Sequence, residues 1–197
     1  DSPAPFVVEA RHLEQQQEFK QAADLYQLAL AKQPTAELQV AYARALMRDS
    51  QENKALETLS AAQQQYPDSE ELLITLALLQ QQSGKAVEAI KTYEQLIERA
   101  PENAVALNNL AWLYHEQNDN RAAALAQKAY ELTPDNAAVA DTYGWILFKA
   151  GQTEKSLPVL EKAHQLQPDA EEIAIHLAEA YRAAGRVEDA KRILEGL

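Results

Sequence analysis

The chain has 197 residues, 47% hydrophobic and 24% charged, with a formal charge of -12. This is enough chain to bury a substantial core, and no nucleic-acid surface is expected, because the 18 Lys and Arg are scattered rather than clustered. With no cysteine there is no disulfide framework, thiolate nucleophile or Cys-ligated metal site.

Ala, Leu, Glu, Gln and Lys dominate while β-branched and aromatic residues are sparse, which favours helix throughout. No apolar run approaches the roughly 20 residues of a membrane span, so no direct membrane insertion is expected from this segment. The opening DSPAPFVVEA lacks the basic start and long apolar core of a signal peptide. A start without Met points to a processed chain or a segment of a longer protein.

Five prolines, Pro34, Pro67, Pro101, Pro134 and Pro168, recur at intervals of 33, 34, 33 and 34 residues. Proline cannot continue a helix interior and pushes the preceding residue out of the helical region, so each marks an element boundary. They divide the chain into units 3–35, 36–69, 70–103, 104–136, 137–170 and a shortened 171–197. In chain order, the eighth position of each unit is Ala10, Ala43, Ala77, Ala111, Gly144 and Ala178. The twentieth, after a one-residue deletion in the turn of the fourth unit, is Ala22, Ala55, Ala89, Ala122, Ser156 and Ala190. Two small residues per unit let two helices approach closely and pack as an antiparallel pair.

Larger side chains surround them at helical spacing and are the expected core. Position 7 carries Tyr42, Leu76, Leu110, Tyr143 and Leu177; position 11 carries Leu13, Leu46, Tyr114, Leu147 and Tyr181; position 24 carries Tyr26, Leu59, Tyr93, Leu160 and Leu194. Gly84, Gly151 and Gly185 share position 15, where the chain must reverse.

Period, small positions, aromatic or Leu positions and closing proline together resemble the tetratricopeptide repeat. The resemblance implies an all-α solenoid of about six helix-turn-helix repeats in a right-handed superhelix, one array covering residues 1–197. It departs at position 4, where the family often has Trp and this chain has Phe6, Gln39, Leu73, Leu107, Ala140 and Ala174. Within residues 104–169 the phrases NNLAWLY, KAYELTPDN and DTYGWIL also resemble the PrsT-like TPR lipoproteins of PEP-CTERM/exosortase and exopolysaccharide systems. That likeness implies a periplasmic protein tethered to the outer membrane by a lipidated Cys outside this segment, although residues alone leave a cytoplasmic location open.

The family's A helices line a concave groove through positions 2, 5, 6, 9, 12 and 13. Carried onto this sequence, the groove displays Asn108, Asn109, Trp112, His115 and Glu116, then Asp141, Thr142, Trp145, Phe148 and Lys149, then His176, Glu179 and Arg182. Both tryptophans fall on position 9, so they are expected as neighbours at the ~9 Å spacing of stacked helices, with Phe148 one turn beyond. One reading makes them padding between helices. The other makes them an aromatic platform flanked by Asn108, Asn109, Asp141 and Arg182, suited to an extended peptide, an apolar anchor of a partner or the face of a sugar ring. A second, basic patch comprises Arg11, Arg44 and Arg48, read as solvated residues paired with neighbouring glutamates or as a cradle for an acidic segment. The carboxylate clamp of chaperone-binding relatives is not expected, since only Asn109 fits it and Ile74, Leu78, Ala138 and Thr142 replace its other residues.

No phosphate loop, nucleophile elbow or zinc-protease motif is present, and no cofactor is implied. His176 and Glu179 stand at i and i+3 but lack a third ligand, so no metal site is expected and His176 reads as a solvated or capping histidine. The expectation is a noncatalytic scaffold that docks a protein partner in its groove within a cell-envelope assembly. The alternatives are a polysaccharide-binding module and a platform for homo-oligomers formed through uncovered ends, where Ile193, Leu194 and Leu197 lie on the last helix.

Overall fold

The structure, a computed structural model, describes residues 2–196. Among them the chain forms twelve α-helices and no strands: α1 (Ala4–Gln15), α2 (Phe19–Lys32), α3 (Ala36–Arg48), α4 (Glu52–Gln65), α5 (Glu70–Gln82), α6 (Ala86–Arg99), α7 (Ala104–Glu116), α8 (Ala122–Leu132), α9 (Ala137–Lys149), α10 (Thr153–Leu166), α11 (Glu171–Ala183) and α12 (Val187–Glu195). These are six helical hairpins, one per sequence unit, each with an A helix (odd number) and a B helix (even number). Leu197 lies outside the described residues.

Each periodic proline lies two residues beyond a B helix, and the residue after the break caps the next A helix. Thr35, Ser69, Asn103 and Asn136 accept hydrogen bonds from the backbone N–H groups of Leu38, Leu72, Ala106 and Val139. Such a cap satisfies one of the orphan donors of a first turn and contributes ~1 kcal/mol. The sixth unit has Ala170 at this place and no side-chain cap.

The turn inside each hairpin has the same backbone in all six units. Its fifteenth residue takes positive φ whether it is glycine (Gly84, Gly151, Gly185) or not, with φ of 63° at Gln17, 60° at Ser50 and 56° at Asn118. The following N–H reaches back to a carbonyl of the A helix, from Glu18 to Leu13, Gln51 to Leu46, Lys85 to Gln80, Asp119 to Tyr114, Gln152 to Leu147 and Arg186 to Tyr181, at 2.8–3.0 Å. This is the Schellman closure of a helix, which needs one left-handed residue. A side chain there costs about 1 kcal/mol relative to glycine, less for Asn. Gln17→Gly and Ser50→Gly are therefore expected to raise stability by up to ~1 kcal/mol each and the melting temperature by roughly 2–4 °C; a scanning melt checks this, and an unchanged or lower midpoint would remove the strain argument.

The fourth unit departs from the others. With one residue missing after Asn118, α8 begins three positions later in the unit and has 11 residues where α2, α4, α6 and α10 have 14. The first turn is replaced by a tight loop in which Asp119 accepts from the Arg121 backbone at 2.9 Å and from its guanidinium at 2.8–3.2 Å. The Arg121 guanidinium lies 4.0 Å from the Tyr114 ring centroid.

By contact density the chain divides after Ala100 into two compact units. In the first, one apolar cluster links Ala10, Tyr26, Val40, Leu46, Leu59, Leu72 and Leu79. In the second, Leu160, Leu177, Tyr181 and Ala190 form a core against which Phe148, Ile193 and Leu194 pack half-buried, and Ala140, Ala163 and Ile173 form another. All small residues at positions 8 and 20 are buried, as the close-packing expectation requires. The expected core holds at most positions, with Leu13, Tyr143 and Leu194 only half-buried. Each fully buried Leu removes enough apolar surface from water to contribute ~1.5–3 kcal/mol before entropy is counted. No helix is long and apolar enough to cross a membrane among the described residues.

Candidate functional site

In the second unit the A helices α7, α9 and α11 pack side by side, α7 on α9 and α9 on α11. The face they share carries the predicted aromatic residues, but its centre differs from the expectation. His176 of α11 joins the two tryptophans, its ring centroid 3.9 Å from that of Trp145 at an interplanar angle of 17° and 6.4 Å from that of Trp112 at 29°. Phe148 flanks Trp145 at 5.4 Å and His115 flanks Trp112 at 6.0 Å. The three larger rings remain half-buried.

His176 is held in place from below. Its Nδ1 donates to both carboxylate oxygens of Asp141 on α9, at 2.9 and 3.0 Å, and each residue is only 7% exposed. A carboxylate can only accept, so the contact places the proton on Nδ1 and fixes the ring plane against Trp145. Two expectations are corrected here. His176 is neither solvated nor a cap but a buried, paired ring, and Asp141 is not a displayed hydrogen-bonding group, because His176 occupies it. Thr142, next in the chain, is buried as well and not displayed. Glu179 is exposed and Asp141 takes its place as the partner of His176; among the described residues no group of three potential ligands could hold a metal.

The remaining candidates lie around this buried centre. Lys149 and Arg182 are exposed, and the Lys149 ammonium sits 5.1 Å from the Trp145 ring centroid. His115 is half-buried; its own burial, then the nearby Lys149 charge, hold its pKa below the usual imidazole value, against a smaller opposing pull from Glu116. Asn108 and Asn109 are half-buried, with the Asn108 Oδ1 enclosed and lacking a hydrogen-bond partner. Beside Lys149 opens a pocket of about 280 Å³ reached by His115, Asn118, Asn120 and Ile146. The sequence reading missed Asn118 and Asn120, which lie in the shortened turn rather than on an A helix; the one-residue deletion was the signal that could have found them.

The basic patch of the first unit is bound up with glutamates. Arg44 pairs with Glu71 at 2.9 Å and reaches Thr75 Oγ1 at 3.4 Å, while Arg48 lies over the Phe19 ring at 5.4 Å. Arg11 and Arg44 share a cleft of about 360 Å³ with Glu14, Glu37 and Glu71. At its floor Tyr26 donates to Glu14 at 2.9 Å, and burial, with that bond, pushes the phenol pKa up to about 12. Arg11 and Arg44 thus face three carboxylates in this cleft, while Arg48 lies over Phe19 outside its lining, so the three arginines do not converge on one anion cradle.

Comparison with known proteins places this geometry. The family described as Tetratricopeptide repeat matches residues 7–70 and 74–137 in one form and 147–197 in another. The chain is 33% identical over 163 residues to the TPR repeat-containing protein PA4667 of Pseudomonas aeruginosa, a match covering 81% of this chain and 28% of that protein. It is 29% identical over 108 residues to the Vi polysaccharide export protein VexE of Salmonella typhi, covering 52% of this chain and 16% of VexE. The chain therefore spans less than a third of the length of these relatives. A crystal structure of a tetratricopeptide repeat protein from Parabacteroides merdae superposes with a TM-score of 0.81 at 17% identity, covering 98% of this chain and 77% of that one, a likeness of fold.

Proposed function

The chain belongs to the tetratricopeptide repeat family, and from that premise we propose that it is a docking scaffold which holds a protein segment on the aromatic face of its second unit. Proteins of this family generally act as protein–protein interaction scaffolds, and the fold is typically noncatalytic; stacked repeats supply a continuous surface for a partner. The observation that carries the reading is the Trp112–His176–Trp145–Phe148 cluster. His176 is locked by its buried contact with Asp141 and Trp145 stacks on it, while Trp112, Trp145 and Phe148 stay half open to solvent, which gives an apolar shelf with little entropy to lose on binding.

A protein segment fits this shelf better than a sugar. Stacking on a glycan needs a whole open ring face, but His176 covers Trp145 at 3.9 Å and the Lys149 ammonium lies over the ring at 5.1 Å, which leaves the exposed part of Trp145 and Phe148 to a smaller apolar side chain. We place the scaffold in a cell-envelope assembly serving exopolysaccharide or PEP-CTERM protein handling, on the periplasmic side and tethered to the outer membrane. Support for the setting comes from the polysaccharide-export relative and from the PrsT-like phrases of residues 104–169.

The test uses Trp145→Ala. Wild-type protein on beads is expected to capture a partner from a solubilised envelope fraction and not from cytosol, and the variant is expected to lose at least nine-tenths of that capture, about 1.4 kcal/mol of binding. Both baits are assayed well below their melting temperatures, so that a loss of capture cannot come from unfolding. Equal capture by the two baits would make Trp145 padding and defeat the proposal. Quenching of tryptophan fluorescence by purified exopolysaccharide, with no protein captured, would replace the protein partner with a glycan.

A further inference from the structure

We infer that the docked segment carries an acidic side chain two residues from an apolar one, the acid entering the pocket beside Lys149 and the apolar residue lying on Trp145 and Phe148. This rests on the docking reading and adds to it the chemistry of the partner. The pocket exists because α8 starts late: the missing residue of the fourth unit withdraws a turn of helix, and the gap of about 280 Å³ is closed by Ala122 and Ala123 and rimmed by His115, Asn118, Asn120 and Lys149.

Its charges do not cancel. Asp119, the carboxylate on the rim, is taken up by the Arg121 guanidinium through three contacts of 2.8–3.2 Å, which also hold its pKa below the usual carboxylate range. Burial, then the Lys149 charge, hold the His115 pKa below the usual imidazole value, and Glu116 is exposed outside the rim. Lys149 forms no ion pair with a carboxylate among the described residues, and its ammonium lies over the Trp145 ring. One cation is left over at the rim of a largely apolar pocket, where two amide side chains, Asn118 and Asn120, are further donors. A carboxylate there gains a charge-assisted hydrogen bond from the ammonium and further bonds from Asn118 or Asn120.

Spacing sets the motif. Trp145 and Lys149 are one helical turn apart, so their side chains stand about 6 Å from each other. An extended peptide puts residues i and i+2 on one face roughly 7 Å apart, which matches one apolar and one acidic side chain with a single residue between them. With a net charge of -12 on the chain, long-range attraction for an acidic partner is absent, and selectivity depends on this contact.

The experiment is selection from a random-peptide display library on wild type, Trp145→Ala and Lys149→Glu. Lys149 is exposed, so its variant is expected to fold, and a circular dichroism melt verifies this. Peptides enriched on wild type are expected to carry Asp or Glu two residues from Leu, Phe or Tyr. A synthetic peptide of that sequence, titrated by tryptophan fluorescence, should bind Lys149→Glu about tenfold more weakly, and its own Glu→Gln form should lose a similar factor on wild type and little more on the variant. Peptides that need Trp145 but show no acidic preference, or that bind Lys149→Glu unchanged, overturn the inference and leave the docking reading intact. If no enriched peptide depends on Trp145, both fall.

Discussion

Asp141→Ala is expected to destabilise the protein by about 3 kcal/mol and to lower its melting temperature by roughly 6–12 °C. The residue lies on α9 with 7% of its surface exposed, and its carboxylate is the acceptor for the Nδ1 of His176 at 2.9 and 3.0 Å. Without it the imidazole remains buried against Trp145 with a donor that has no partner, and leaving a buried polar group unsatisfied costs more than the bond itself contributes. Asp141→Asn keeps an acceptor oxygen and should cost about 1 kcal/mol, a difference that separates the hydrogen bond from simple volume. His176→Ala removes both the ring stack and the donor. The double variant should therefore be less destabilised than the sum of the two, by at least ~1 kcal/mol of coupling. Because stability in a repeat array is set by neighbouring contacts, faster hydrogen exchange should concentrate in α9 and α11. A loss below ~0.5 kcal/mol for Asp141→Ala would mean that the pair does not hold the aromatic face together.

The period and the two small positions were legible because every unit solves the same problem, two helices at close approach, with the same residues. Ala10, Ala22, Ala43, Ala55, Ala77 and Ala89 are all fully buried, and none needs a partner of particular chemistry. The left-handed turn was half legible. Gly84, Gly151 and Gly185 announce it and Asn118 does so weakly, whereas Gln17 and Ser50 adopt it under the pull of the hairpin with no sequence mark. Here the tertiary fold overrides the local preference of the residue.

The face of the second unit was legible as a list of residues and not as an arrangement. Placing Trp112 and Trp145 on equivalent positions put them on one face, but the contacts that build it follow an offset, because side chains on successive A helices interlock. Arg44 meets Thr75, and Trp145 meets His176, each pair 31 residues apart, position 9 of one unit against position 6 of the next. His176 and Asp141 are 35 apart, one repeat plus one. Polar residues on a groove-facing stripe read as solvated until a complementary residue at that offset is sought. Each alone looks like surface, and burial follows only from the pair, since neither charge nor imidazole would be carried inside unpartnered. The basic patch shows the same logic with a different outcome, as Arg44 finds Glu71 and the surface neutralises itself.

Gly144→Ala, the substitution that would give the fifth unit the residue found at position 8 of the other five, is expected to destabilise by up to ~2 kcal/mol. A β-carbon at Gly144 would stand 2.7 Å from Leu160 Cγ, 2.8 Å from its Cδ2 and 3.2 Å from its backbone nitrogen. Alanine gains ~1 kcal/mol of helix propensity over glycine, but overpacking against a filled core costs ~1–3 kcal/mol, and the approach of the α10 backbone leaves no rotamer of Leu160 that relieves the contact fully. Leu160 is fully buried, so Leu160→Ala alone should cost ~2–5 kcal/mol by opening a cavity. In the double variant the new methyl fills part of that cavity, so the two losses should fall short of adding by at least ~1 kcal/mol. Urea denaturation of the four proteins measures each quantity. If Gly144→Ala proved neutral or stabilising, α9 and α10 would have room to separate, and glycine would then be no condition of their close approach. If instead it is destabilising and rescued by Leu160→Ala, the hairpin that carries Trp145 and Phe148 is fixed by contact on its inner side, and the aromatic face is set by the same packing that defines the repeat.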